Sequence, residues 1–250
     1  MERIAKQLSL PVSLPADETF DSFVSAQNQQ LVALLKTICQ ETPNWSAVPS
    51  LQFLASGSLP LINIVGGEGQ GKSHLLYALA HRLSARGVSH IYLNCNQLAS
   101  LEQQILEGLE NLSIIALDNI DCVRQNAYWE EAVFDLFNRI MEKRNTVVIC
   151  SSRQMPANAG FALPDLESRL QWGTTFSLKR LGDDARKQAV RYRAEQKGLM
   201  FSDAALTFVL NHYDRNLKSL MCLLERLDAR SLQEQRKISI SMIKRELNLD

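Results

Sequence analysis

The chain has 250 residues, with 27 Lys plus Arg against 27 Asp plus Glu and 46% hydrophobic side chains. That composition fills the core of one domain with an appendage or of two small domains, and the even charge excludes a global field favouring DNA or a membrane. Five scattered cysteines (Cys39, Cys95, Cys122, Cys150, Cys222) and four histidines, without C-x-x-C or zinc-ligand spacing, exclude a disulfide framework and a metal site of the protein's own.

Pro11 and Pro15 interrupt the first stretch, which has no helical or strand period until about Gln29 and reads as an extended arm. Residues 61–65, Leu-Ile-Asn-Ile-Val, suit a buried strand. Gly66, Gly67, Glu68, Gly69, Gln70, Gly71, Lys72 and Ser73 follow it directly and match G-x-x-x-x-G-K-[ST] at every fixed position. Such a loop curls consecutive backbone N–H groups around phosphate oxygens, while Lys72 reaches the outer phosphates and Ser73 can ligate Mg²⁺. A helix predicted from His74 to His81 adds the positive end of its dipole, and His74 joins the candidate phosphate-binding residues.

Four more apolar runs, 90–94, 113–118, 146–151 and 174–178, complete a set of five strands. Val133, Leu136, Phe137, Ile140 and Met141 form one apolar stripe on a helix at 128–143. The alternation predicts an α/β fold with a parallel sheet covered on both faces. After Leu178 the patterns are helical: 183–197 ending at Gly198, 203–212 behind Ser202 as N-cap, 215–233, and a last helix opening at Ser239 or Ser241 and running to Leu247. The expected division is an arm at 1–24, a base at 25–178 and a small C-terminal helical lid at 179–250. No stretch approaches the roughly 18 apolar residues of a membrane span and the N-terminus has no signal-peptide pattern, so a cytoplasmic protein is expected.

Ile114, Ile115, Ala116 and Leu117 lead straight into Asp118, the arrangement that holds Mg²⁺ beside a phosphate loop. Asn119 comes next, where many ATPases of this type place a glutamate. An amide cannot accept a proton, so intrinsic hydrolysis is expected to be weak. Ser151 and Ser152 end the fourth strand, where a polar side chain reads equally as a turn former or as a contact for the γ-phosphate, and Arg153 follows immediately. On composition alone Arg169 and Lys218 are solvated helix cations.

Taken together these residues resemble the AAA+ family, in the branch of the bacterial replication initiator DnaA and its shorter regulatory relatives. The resemblance spans essentially the whole chain. It is carried by Gln7, Leu8, Ser9, Leu10, Pro11 and Val12, by residues 18–23, by the phosphate loop, by Asp118-Asn119-Ile120-Asp121, and by residues 163–172. It implies a P-loop NTPase base that takes ADP or ATP with Mg²⁺, held by the loop, Asp118 and Ser73. It makes Arg169 an arginine finger acting in trans, Ser152 the first sensor and Lys218 the second, where lysine keeps the charge of the usual arginine but loses its fork. Phe20 and Phe23 either flank the purine or pack in the core.

Residues 7–12 resemble the short peptide with which bacterial proteins dock on the polymerase III sliding clamp (the beta subunit). Gln7 would supply hydrogen bonds, and Leu8, Leu10 and Val12 would fill apolar pockets. The sequence reaches Asp250 directly after the lid with no helix-turn-helix module, so specific duplex recognition is not expected and DNA would be met through the clamp. The implied function is that of a DNA replication inhibitor, a nucleotide-bound regulator that docks on the clamp and stimulates hydrolysis of ATP held by DnaA, with little or no ATPase of its own. Two alternatives stand beside it: a nucleotide-bound adaptor of the helicase-loader type, and a P-loop phosphotransferase, since the loop also serves kinases. Self-association is left open and no membrane partner is expected.

Overall fold

Branched and aliphatic runs become the strands of a single sheet. In the computed structural model, which describes residues 14–42, 60–235 and 237–249, they are β1 (Leu61–Val65), β2 (His90–Asn94), β3 (Ile114–Asp118), β4 (Val147–Ser152) and β5 (Thr174–Ser177). All pairings are parallel, in the order β2-β3-β4-β1-β5. Every residue of β1, β3 and β4 is buried, as an apolar run covered on both faces requires.

Successive side chains point to opposite faces, so one strand feeds two cores. Ile62 and Ile64 of β1 pack with α1 (Gln29–Glu41) and α2 (Lys72–Ala85), through Leu35, Ile38, Leu75 and Leu79. Leu61 faces the other way, towards Val133, Phe137 and Ile140 of α3 (Ala127–Lys143) and Leu166 and Leu170 of α4 (Pro164–Gln171). The crossover from β2 to β3 carries three short 3-10 turns rather than an α-helix. Leu98, Leu106 and Leu109 of those turns still bury in the second core.

Two polar residues in this apolar frame fix the position of α4. Asn63 of β1 donates from its amide to the Leu170 carbonyl at 2.7 Å. Glu130 of α3 is fully buried, and its carboxylate accepts the backbone N–H groups of Gln125 (2.7 Å), Ala162 (3.1 Å) and Leu163 (2.6 Å). A buried carboxylate is tolerable only with such partners, and these hold the segment that leads into α4.

Among the described residues the lid has four helices with a core of their own: α5 (Asp183–Gln196), α6 (Asp203–His212), α7 (Leu217–Glu234) and α8 (Ile240–Glu246). Val190, Leu206, Val209, Leu220, Leu224 and Ile243 meet at its centre. Ser202 caps α6 by accepting the Ala205 N–H, and Ser239, not Ser241, caps α8 through the Met242 N–H. Among the described residues no helix is long and apolar enough to cross a membrane.

The expectation of an extended arm over 1–24 is corrected for residues 14–24. These run as turns against α2 because Phe20 is buried in the first core, with Leu14 packed against it. Their backbone carbonyls are also taken up, Pro15 by His81 Nε2 at 2.9 Å and Thr19 by His74 Nε2 at 2.8 Å. The clamp-like peptide, Gln7, Leu8, Ser9, Leu10, Pro11 and Val12, lies outside the described residues.

Candidate functional site

The loop that follows β1 is anchored at both ends. The Gly66 N–H donates to the Ser152 carbonyl of β4 at 3.1 Å, and Lys72 opens α2 with its ammonium turned back into the loop, donating to the carbonyls of Gly66 (2.7 Å) and Gly67 (2.9 Å). Gln70 accepts the Gly67 N–H on its side-chain oxygen. Gly69 (φ 71°) and Gly71 (φ 90°) occupy the left-handed region, which favours glycine. A Cβ on Gly71 would come within 2.7 Å of Phe23 Cε2, and one on Gly69 would collide with the Asn216 side chain of the lid. Burial, with the Arg153 cation in the same direction, pulls the Lys72 pKa down, against the carboxylates of Asp118 and Asp121.

Asp118 ends β3 buried, accepting the Tyr92 hydroxyl at 2.8 Å and the Ser151 hydroxyl. Burial and the neighbouring Asp118 charge push the Tyr92 pKa far up, so its O–H stays a donor. Asn119 is left-handed (φ 57°); its N–H donates to Ser151 Oγ at 2.9 Å and its amide to Asn94 Oδ1 at 3.3 Å. Ser151 is therefore the strand-end serine wired to Asp118. The Ser152 hydroxyl donates to the Gln154 carbonyl at 2.7 Å, because neighbouring strand residues face opposite ways. Asp118 and the Ser73 hydroxyl are oxygen donors of the kind that Mg²⁺ takes.

Beside the loop lies a cavity with a mainly apolar wall, lined by Phe23, Val24, His74, Leu181, Tyr192 and Met221 among others. Phe23 meets His74 edge-on at 5.3 Å between centroids. Phe20 does not line this cavity; it packs in the core beneath Lys36. His74 is held by Thr19, with the Ser22 hydroxyl 3.2 Å from the same nitrogen.

Burial holds the His74 pKa below its ordinary 6.5. The unfolded chain then binds a proton that the folded one refuses, so His74 lowers stability as pH falls from 6.5 through the depressed folded value. Melting temperatures across about pH 5.5 to 7.5 should fall on the acid side. His74→Gln should flatten that slope, and an unchanged slope in the variant would refute the assignment. Glu18, raised mainly by burial against Arg193, acts in the opposite sense above its ordinary 4.5.

From the lid, Lys218 donates to Glu68 Oε1 at 2.9 Å, so the second-sensor candidate touches the phosphate loop itself. Arg193 of α5 pairs with Asp17 and lies 3.8 Å from Glu18. Lys72, Ser73, Asn119, Arg153, Arg193 and Lys218 line one open cleft. Arg169 is on the wall of neither this cleft nor the apolar cavity. It sits on α4 with one nitrogen donating to Asn138 Oδ1 at 3.2 Å and another to the Met141 sulfur. Its guanidinium lies 4.5 Å from the ring centre of Trp172, which is 50% exposed.

The model of the bacterial DnaA ATPase domain matches residues 14–177 of this chain, and that of the Hda lid domain matches residues 183–247. The chain belongs to the DnaA-like AAA+ family. Solved structures similar to this DnaA-like chain include domain III of the Thermotoga maritima replication initiation protein DnaA, 18% identical over 93% of this chain and 96% of that one, with a TM-score of 0.77. AMPPCP-bound DnaA from Aquifex aeolicus is 18% identical over 95% of this chain and 70% of that one, with a TM-score of 0.71. The Thermotoga maritima RuvB Holliday junction branch migration motor is 16% identical over 94% and 72%, with a TM-score of 0.63. At these identities the structural likenesses carry the fold.

In this DnaA-like chain Glu68, Gly69, Gln70, Gly71, Lys72, Ser73, His74 and Lys218 line one cleft and Phe23 its side cavity, while Asp118 is buried and Phe20, Ser152 and Arg169 lie on neither wall. Sequence reading missed Arg193, which joins lid to base through Asp17 and Glu18. Arg193 is one of several basic residues in α5 and carries no signal of its own.

Proposed function

We propose that this chain is a nucleotide-bound negative regulator of chromosomal replication initiation, which docks on the polymerase sliding clamp and stimulates hydrolysis of ATP held by DnaA. Its own loop, 66–73, with His74 and Lys218 would hold the phosphates of ADP or ATP, Asp118 and Ser73 would take the Mg²⁺, and Phe23 would flank the base. The AMPPCP named for the Aquifex aeolicus structure supports the nucleotide part of the reading. Asn119 lacks the carboxylate that would take a proton from attacking water, which favours a resident nucleotide that sets shape over one that turns over.

The observation that carries the proposal is the position of Arg169. Outside its own chain's cleft and set over the ring of an exposed Trp172, the guanidinium would leave Asn138 and Met141 to serve a neighbour's phosphates. A planar fork there stabilises charge on the transferring phosphoryl group without joining the covalent chemistry. DnaA preloaded with ATP should pass to its ADP form when this chain and a clamp loaded on DNA are both added. Equal conversion without the chain would overturn the proposal, and capture of a helicase without clamp would favour a loader-type adaptor.

Docking is separable. Replacing Gln7, Leu8 and Leu10 by alanine should weaken clamp pull-down at least about tenfold, since extended peptides bind through a few anchors. The melting temperature should not move. Unchanged pull-down would remove the clamp from the mechanism.

A further inference from the structure

An asparagine directly before a helix normally turns its side-chain oxygen onto that helix's own N–H groups. Asn126 and Asn216 do so for α3 and α7. Asn28, directly before α1, makes no such bond. Its amide reaches instead across 151 positions to the segment that joins base and lid. The Lys179 N–H donates to Asn28 Oδ1 at 2.8 Å, and Asn28 Nδ2 donates to the Lys179 carbonyl at 3.2 Å. Asn28 is buried, so leaving either bond unmade is costly.

This bracket decides where the base ends. Leu178 is fixed to the base by its N–H on the Val65 carbonyl at 2.7 Å and by burial in the first core. Asn28 extends that hold by one residue, on both polar groups of the Lys179 backbone. From the other side, Arg186 of α5 donates to the Leu181 carbonyl at 2.9 Å, and α5 starts at Asp183. Arg180 stands between the residue held by the base and the residue held by the lid, and hinges are a few linker residues of this kind. The lid then meets the phosphate loop through Lys218 on Glu68, an exposed ion pair that holds weakly by itself.

We infer that Asn28 is a positioning residue of this chain's nucleotide site, which fixes the pivot from which the lid sets Lys218 against the phosphate loop. The inference rests on the reading that the cleft takes a nucleotide with Lys218 on its phosphates. Without the bracket the hold of the base ends at Leu178, and the lid swings on a longer linker. Lys218 then samples the cleft instead of resting in it. Asn28 and Leu181 both line the apolar cavity beside the loop, so a ligand seated there touches the pivot from both of its sides.

Two of the chain's cysteines serve the test, since Cys122 is exposed on the base and Cys222 on the lid while Cys39, Cys95 and Cys150 are buried. With nitroxides on that pair, the full chain without nucleotide should give one narrow distance distribution, and Asn28→Ala should broaden it about twofold or more. Binding of fluorescent Mg-ADP should weaken about fivefold or more in Asn28→Ala, and adding Lys218→Ala should then cost less than about twofold, well below its cost in the wild type. A residue that only stabilised the fold would leave the two costs to multiply. Asn28→Asp keeps the acceptor for the Lys179 N–H but sets a carboxylate oxygen against the Lys179 carbonyl; it should show the same pattern and serves if the alanine variant does not fold. An unchanged distance distribution in these variants, or costs that multiply in full, would overturn the inference. Wild-type protein that binds no nucleotide would overturn the reading of the cleft, and the distances would then still decide whether Asn28 sets the pivot.

Discussion

Alanine at Arg169 should lower the stimulated hydrolysis of DnaA-bound ATP by about 10³-fold or more, the range in which an arginine supplied in trans acts. The contacts Arg169 makes in its own chain, to Asn138, Met141 and the Trp172 ring, are those of a side chain held ready at a surface. A stacked cation at such a site is worth about 0.5–1 kcal/mol, so the variant should melt within a few degrees of the wild type and bind clamp normally. Arg169→Lys should recover little, because an ammonium offers a point charge where two phosphate oxygens call for a fork. Single-turnover phosphate release from ATP-loaded DnaA, with the chain and clamp saturating, reads the effect. Full stimulation by Arg169→Ala would end the finger assignment.

Lys72→Ala should weaken the chain's own hold on ADP and ATP by about 30-fold to 1,000-fold, the cost of removing one partner of a buried charged contact. The ammonium is buried and directed into the loop by two backbone carbonyls, so few other groups can replace it. Lys218 is more exposed and is engaged with Glu68. Equilibrium binding of labelled nucleotide measures the loss. The same variant should also lose its stimulation of DnaA, if bound nucleotide orients base and lid. A variant with intact stimulation and no bound nucleotide would remove the nucleotide from the mechanism while leaving Arg169 in it.

Which of these parts could be read before folding depended on whether their signal was local. The five strands and the lid helices were legible because burial on both faces, or on one helical stripe, leaves a pattern within five to fifteen residues. The phosphate loop was legible because its glycines answer a local backbone demand, visible in the left-handed Gly69 and Gly71. Phe20 and Phe23, three residues apart and alike in type, differ in the fold: one is buried in the first core, the other lies half-buried at its edge, against Gly71 and the cavity. Nothing local distinguishes them, since the difference lies in what α1 and the lid bring alongside. Ser151 and Ser152 could not be told apart without the pleat that turns one to Asp118 and the other to Gln154. Asn63 and Glu130, which fix α4 and hence Arg169, look in the sequence like interruptions of apolar runs. Their partners are backbone groups as many as 107 positions away.

The central claim is that the consequential hydrolysis takes place in another protein's loop. It is tested most directly by labelling only that loop's nucleotide, with γ-labelled ATP on DnaA, unlabelled ADP on this chain, and the clamp loaded on DNA. Release of label as inorganic phosphate, with this chain's ADP unchanged and with no release when Arg169→Ala replaces the wild type, is the expected result. Label that stays on DnaA in the presence of the wild-type chain would contradict it.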